Sequence, residues 1–127
     1  MLLSDFYTVE QSGRDVIGKR LTALISLNPF HEIFKGHFPG NPVLPGVCII
    51  QILKEILMSH LGNSLVFNNL GSIKYFSVTN PEVNRLLNLD IELKETGGDE
   101  TSFSARIYFE SVVYCRIKGE FRFTASD

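Results

Sequence analysis

The feature that most constrains this chain is a run after Pro45 that is apolar on nearly every side. Val47, Cys48, Ile49, Ile50, Ile52, Leu53, Ile56 and Leu57 crowd together, leaving Gln51, Lys54, Glu55 and Ser59 as one polar stripe at helical spacing. The spacing predicts a helix from about Gly46 to Gly62, a glycine that makes a natural C-terminal cap. A helix of this length is a rod of about 24 Å. With so little polar surface, it must be buried on most sides.

The flanking segments can supply the cover. Residues 6–12 and 17–27 read as strands, with Leu21, Ala23, Ile25 and Leu27 alternating against Thr22, Leu24 and Ser26. Ser12–Gly13–Arg14–Asp15 separates the two runs as a turn would. After the helix, residues 70–78, 86–95, 101–110 and 112–123 return to period two, and Gly97–Gly98–Asp99–Glu100 reads as a hairpin turn. Strands, one long apolar helix, then more strands give an α+β class with an antiparallel sheet wrapped on the helix. One sheet leaves edges and an apolar flank uncovered, which predicts at least a dimer. The chain shows no repeat and no linker, so one domain over residues 1–127 is expected.

Composition excludes several classes. Of 127 residues, 44% are hydrophobic and 20% charged, and the formal net charge is -2, which gives no electrostatic case for nucleic acid. No apolar stretch approaches the roughly 18 residues that span a bilayer, and Ser4 and Asp5 interrupt the start too early for a signal sequence. A cytoplasmic protein is expected. Cys48 and Cys115 lack metal-ligand spacing and sit among apolar neighbours, where a thiol packs as a small hydrophobe.

Residues 28–46 carry the chemistry. Pro29, Gly36, Pro39, Gly40, Pro42, Pro45 and Gly46 hold four of the five prolines, a density expected to forbid any regular element there. His37 lies in this loop, nine residues before the helix starts at Gly46. The first N–H groups of a helix have no partner within it and carry the positive end of its dipole, so at Gly46 and Val47 they can hold an oxygen that is gaining negative charge. A neutral imidazole nearby can take a proton from the carbon beside a carbonyl while the helix terminus stabilises the enolate. Glycine at 46 lets a carbonyl approach without a Cβ in the way.

The string His37–Phe38–Pro39–Gly40–Asn41–Pro42–Val43–Leu44–Pro45–Gly46–Val47 resembles the active-site signature of the 3-hydroxyacyl-acyl-carrier-protein dehydratases. The resemblance extends through the helix and, more weakly, to Lys74–Tyr75–Phe76 and Pro81. It implies a hotdog fold, assembled as a dimer or a trimer of dimers with a tunnel at the subunit interface. It also implies loss of water from a (3R)-3-hydroxyacyl chain carried by acyl carrier protein, with no metal or added cofactor. His37 then matches the catalytic histidine, and the amides of Phe38, Gly46 and Val47 match the groups around the thioester carbonyl.

One departure bears on activity. Fourteen residues after the histidine the family places Glu or Asp, on the partner subunit's helix, to handle the leaving hydroxyl; here the residue is Gln51. An amide donates a hydrogen bond but cannot deliver a proton as an acid does. Glu55, one turn on, reads as part of the polar stripe and substitutes only if loop or substrate shifts. The alternatives are a catalytically weak, dehydratase-like subunit that pairs with an active homologue or binds acyl chains, and a hotdog thioesterase. His31 and His60 read as surface residues, Lys35 as a solvated lysine able to meet an acidic carrier, Phe38 and Phe76 as possible tunnel lining, and Cys48 as packing rather than a nucleophile.

Overall fold

The computed structural model describes residues 5–15, 19–35, 43–95 and 98–124. Eight elements follow in order: β1 (Tyr7–Arg14), β2 (Arg20–Leu27), α1 (Glu32–Lys35), α2 (Gly46–Leu61), β3 (Leu65–Tyr75), β4 (Leu86–Glu95), β5 (Glu100–Phe109) and β6 (Val112–Phe123). The strands form one antiparallel sheet in the order β1-β2-β4-β5-β6-β3. Sequence neighbours pair in β1–β2 and β4–β5–β6, whereas β3 passes to the far edge beside β6.

The inward residues form one core with the helix. Leu21, Ala23, Ile25 and Leu27 of β2 meet Leu87, Leu89 and Ile91 of β4, then Phe103, Ala105 and Ile107 of β5 and Cys115, Ile117 and Phe121 of β6. Against them α2 buries Cys48, Ile49, Ile52, Leu53, Ile56 and Leu57. The opposite residues of each strand face outward, so Thr22, Asp90, Arg106, Arg116 and Lys74 follow one another across five strands in register. The expected α+β architecture, with an antiparallel sheet on one long helix, is present.

Several boundaries differ from expectation, each for a local reason. The turn read at Ser12–Asp15 lies further on: residues 12–14 pair with β2, and the chain reverses where the Asp15 N–H reaches the Arg20 carbonyl at 3.1 Å. Gly13 belongs to the strand because a Cβ there would stand 2.9 Å from Thr22 Oγ1. Strand β3 starts five residues before the expected 70–78 and stops three earlier. Asn68 and Asn69 conceal its first half from propensity, and the pairing with β6 is irregular there, shifting register between Phe67 and Asn69 and again between Asn69 and Ser72. Opposite these shifts, Gly119 lets the Asn69 carbonyl and Leu70 approach where any Cβ would collide.

The proline-rich segment holds a regular element after all. Between Pro29 and Gly36 no proline intervenes, and the single turn α1 forms there, burying Phe34 against Phe6 with ring centroids 5.2 Å apart. His31 introduces that turn and is not a surface residue. Its side chain is 14% exposed, its ring packs edge-on against Phe6, its Nδ1 accepts the Ile33 N–H at 3.1 Å, and its Nε2 lies 3.1 Å from Asp5 Oδ1. With Nδ1 acting as acceptor, the proton sits on Nε2 and points at the carboxylate.

Candidate active site

The site expected from sequence centres on the start of α2. His37 and Phe38 lie outside the described residues; Gly46, Val47 and Gln51 lie within them. Pro45 precedes the helix in an extended conformation and supplies no side-chain cap, and no acidic residue lies in the first turn. Its carbonyl accepts the N–H groups of Cys48 at 3.0 Å and Ile49 at 3.3 Å. The N–H groups of Gly46 and Val47 precede the first acceptor that the helix can offer. Among the described residues neither a cap nor a carboxylate offsets the positive end of the dipole, and Val47 is 73% exposed beside it. The approach is pinned from behind, since the Leu44 N–H donates to the carbonyl of the buried Thr79 at 2.8 Å.

Tyr75, at the end of β3, comes over Gly46. A Cβ at 46 would collide with its hydroxyl and stand 2.8 Å from its Cζ. Glycine here therefore answers a side-chain contact within the chain, in addition to any need of a substrate. Tyr75 has no signal in the sequence beyond its place in the weakly matching Lys74–Tyr75–Phe76.

Gln51 is half-buried and engaged. Its Nε2 donates to Glu55 Oε2 at 2.8 Å, and Tyr7 in β1 donates its hydroxyl to Glu55 Oε1 at 2.9 Å. The Glu55 carboxylate is thus gripped by two neutral donors, one from its own helix and one from 48 residues away. Burial, followed by the hydrogen bond to Glu55 and its negative charge, holds the Tyr7 phenol well above its usual 10.0. Glu55 is therefore a structural hub rather than a solvated member of the polar stripe. Tyr7 escaped the sequence reading because nothing local ties a residue in the first strand to a helix this far along.

The other candidates separate cleanly. Cys48 and Cys115 are buried, and burial pushes both thiols up, Cys115 to about 11, so they pack rather than react. Lys35 is exposed, and His60 lends its carbonyl to Arg14 Nη1 at 3.3 Å. Phe76 is 57% exposed and lines an open pocket of about 540 Å³ on the outer side of β3 and β6, with Lys74, Arg116 and Lys118.

An antiparallel sheet carrying one central helix, with a His-Phe-Pro-Gly sequence ahead of the helix start, is the arrangement of a hotdog protein. The solved dehydratase heterocomplex ApeI:P from Xenorhabdus doucetiae shares this fold, with a TM-score of 0.73 at 20% identity over 91% of this chain and 96% of that one. A hypothetical thioesterase from Streptococcus pneumoniae, solved with coenzyme A, shares it with a TM-score of 0.63 at 15% identity over 93% and 85%. In sequence, a 3-hydroxyacyl-[acyl-carrier-protein] dehydratase FabZ from Zymomonas mobilis is 30% identical over 115 residues, covering 85% of this chain and 70% of the relative. The family model for ApeI-like proteins, described as ApeI dehydratase, matches residues 13–116. The chain belongs to this family of 3-hydroxyacyl-acyl-carrier-protein dehydratases.

No helix among the described residues is long and apolar enough to cross a membrane.

Proposed function

We propose that this protein removes water from 3-hydroxyacyl-acyl-carrier-protein to give the trans-2-enoyl thioester, in fatty-acid synthesis or a related polyene or polyketide pathway. The observation that carries the reading is the start of α2 at Gly46 and Val47, uncapped and uncompensated among the described residues, nine residues after His37 in a matching signature. In this reading the imidazole of His37 takes the proton from C2. The Gly46 and Val47 N–H groups, with that of Phe38, hold the thioester oxygen as it gains charge. The C3–O bond breaks, the C2=C3 double bond forms, and the departing hydroxyl takes up a proton to leave as water. Gln51 holds that hydroxyl by a hydrogen bond. Among these groups only the imidazolium of His37 carries a transferable proton, so the proton taken from C2 returns to the leaving oxygen.

The site is proposed to be completed by a second subunit. Val47 is exposed on α2, and Ile50, Met58 and Leu61, packed at the margin of the core, keep part of their apolar area in contact with solvent. A dimer covers that flank, and a homologous partner in place of an identical one is compatible with the same surface. One observation favours the second reading, a weak or acyl-binding subunit: the Gln51 amide already spends an N–H on Glu55.

The experiment is incubation of the purified protein with 3-hydroxyacyl carrier protein, followed by mass spectrometry. Loss of one water from the acyl chain is expected. Cleavage to the free carrier thiol would replace the reading with a thioesterase, and an unchanged acyl chain at high protein concentration would replace it with the binding subunit.

A further inference from the structure

The four tyrosines are placed unequally. Tyr7 donates its hydroxyl to Glu55 Oε1 at 2.9 Å, and the Tyr114 hydroxyl lies 3.4 Å from Asn84 Nδ2. Among the described residues the hydroxyls of Tyr75 and Tyr108 have no hydrogen-bond partner. Tyr108 is engaged through its ring, which lies 4.2 Å from the Arg106 guanidinium. Tyr75 instead brings its bare hydroxyl to Gly46, the first residue of α2. A Cβ built on Gly46 would collide with that hydroxyl and stand 2.8 Å from the ring's Cζ. With a Cα–C bond of about 1.5 Å and a contact under about 3 Å, the phenol oxygen lies within roughly 4.5 Å of Gly46 Cα. Direction matters as much as distance. In a helix each Cα–Cβ bond tilts toward the N-terminus, the way its free N–H groups also point. The phenol therefore enters the space into which the Gly46 N–H opens.

We infer that the Tyr75 hydroxyl donates a hydrogen bond to the thioester oxygen beside the Gly46 N–H, which makes it a further catalytic residue; the inference rests on the dehydratase reading. An oxygen that accepts from the Gly46 N–H at about 2.9 Å comes within reach of a phenol on the same side. The donor is carried on a strand: Tyr75 pairs with Cys115 of β6, and the Phe76 N–H donates to the Tyr114 carbonyl at 2.9 Å. Groups built on strands hold their geometry better than groups on loops. The hydrogen bond from Leu44 to Thr79, four residues beyond Tyr75, joins the segment after the strand to the approach to the helix. Tyr75 is 53% exposed, so its ring is open to an incoming ligand. What burial it has, and after that the nearby Cys115, pushes the phenol up, so it keeps its proton and can donate in neutral solution. No bond forms or breaks at the phenol. It holds its proton while the thioester oxygen gains charge and loses it again.

The test compares the whole protein with Tyr75→Phe, which keeps the ring and loses only the hydroxyl. Two quantities are read: steady-state hydration of a short trans-2-enoyl thioester, and the infrared carbonyl stretch of a bound saturated acyl thioester isotopically labelled at its carbonyl carbon. Tyr75→Phe is expected to lower kcat by about tenfold to a hundredfold with KM within about twofold, less than the loss of a fully enclosed oxyanion donor because the ring is half exposed. The carbonyl stretch, lowered on binding to the original protein, should lie closer to its free value in the variant. An unchanged kcat, a faster variant or a change confined to KM would overturn the inference, while turnover by the original protein would keep the dehydratase reading. The same carbonyl stretch in both proteins, or no shift on adding the thioester to the original, would overturn it as well. A stretch that differs between the two while neither turns over any thioester would sustain the Tyr75 contact and remove the dehydratase reading alone.

Discussion

The two ends of α2 are built to different rules. At the C-terminus Gly62 takes the left-handed conformation at φ 74°, its N–H closes on the Met58 carbonyl at 2.9 Å, and His60 stands in the last turn. Every device that finishes a helix is in use. At the N-terminus there is no side-chain cap and no acidic residue, and the first exposed side chain is a valine. A cap there is typically worth about 1 kcal/mol. Forgoing it leaves the Gly46 and Val47 N–H groups without a partner among the described residues, and this is the end where the proposed chemistry lies.

The sharpest way to break this contrast is at His37, nine residues before the open end in the sequence. His37→Ala is expected to lower hydration or dehydration by roughly a hundredfold to ten-thousandfold, the usual range for a general base. Circular dichroism should show the fold retained. Unchanged turnover would move the chemistry away from the start of α2.

Gln51→Glu tests the same end from the other side. Glu55 lies 2.8 Å from the Gln51 amide, so a carboxyl introduced at 51 would meet a carboxylate at hydrogen-bonding distance. Two such groups share a proton, which raises the upper apparent pKa of the pair and supplies the missing acid. Activity should rise about tenfold or more, roughly 1.4 kcal/mol off the barrier, and the gain should vanish as pH rises through that upper value. No gain, with the oligomer intact in light scattering, would favour the partner-subunit reading.

A single substitution placed at both ends compares them directly. Gly46→Ala drives a methyl into Tyr75, and because that ring is half exposed and can swing, the expected loss is catalytic, on the order of several-fold, with the melting temperature nearly unchanged. Gly62→Ala meets no atom within 4 Å but forces a side chain into a left-handed backbone. It should cost about 1 kcal/mol of stability and leave turnover alone. Equal catalytic effects from the two would erase the distinction.

The smallest effect belongs to Tyr7→Phe, which removes one donor from Glu55 and should cost about 1 kcal/mol in denaturant unfolding. The sign with pH follows from the raised phenol. Its contribution is complete below the ordinary 10.0 and is lost as pH climbs toward the higher folded value, so wild type and variant should converge in strongly alkaline solution.

The sequence made these regions legible to different degrees. Strands β4 and β6 and helix α2 were read almost to the residue, because apolar residues recur at every second position through β4 and at Cys115 and Ile117 in β6, and Gly62 punctuates the helix. The start of β3 was missed because Asn68 and Asn69 obey the irregular pairing with β6 rather than strand propensity. Gly46, Val47 and Gln51 were named from their motif, and Glu55, one turn from Gln51, was read only as part of the polar stripe, whereas Tyr7 and Tyr75 reach this helix through long-range packing that no local pattern encodes. His31 was misread for the same reason, since its partner Asp5 comes from a segment 26 residues earlier.

The irregular first half of β3 bears on solubility. An edge strand with a free row of N–H and C=O groups invites growth into fibres. Two register shifts within six residues twist this edge out of the flat geometry that stacking strands need, and Gly119 is the space that lets them exist. An even ladder is kept only over two short stretches, Leu65–Phe67 and Ser72–Tyr75, each long enough for one short partner strand and too short to template a fibril. The kink that spoiled the propensity pattern thus works as a brake on runaway assembly at this edge of the sheet.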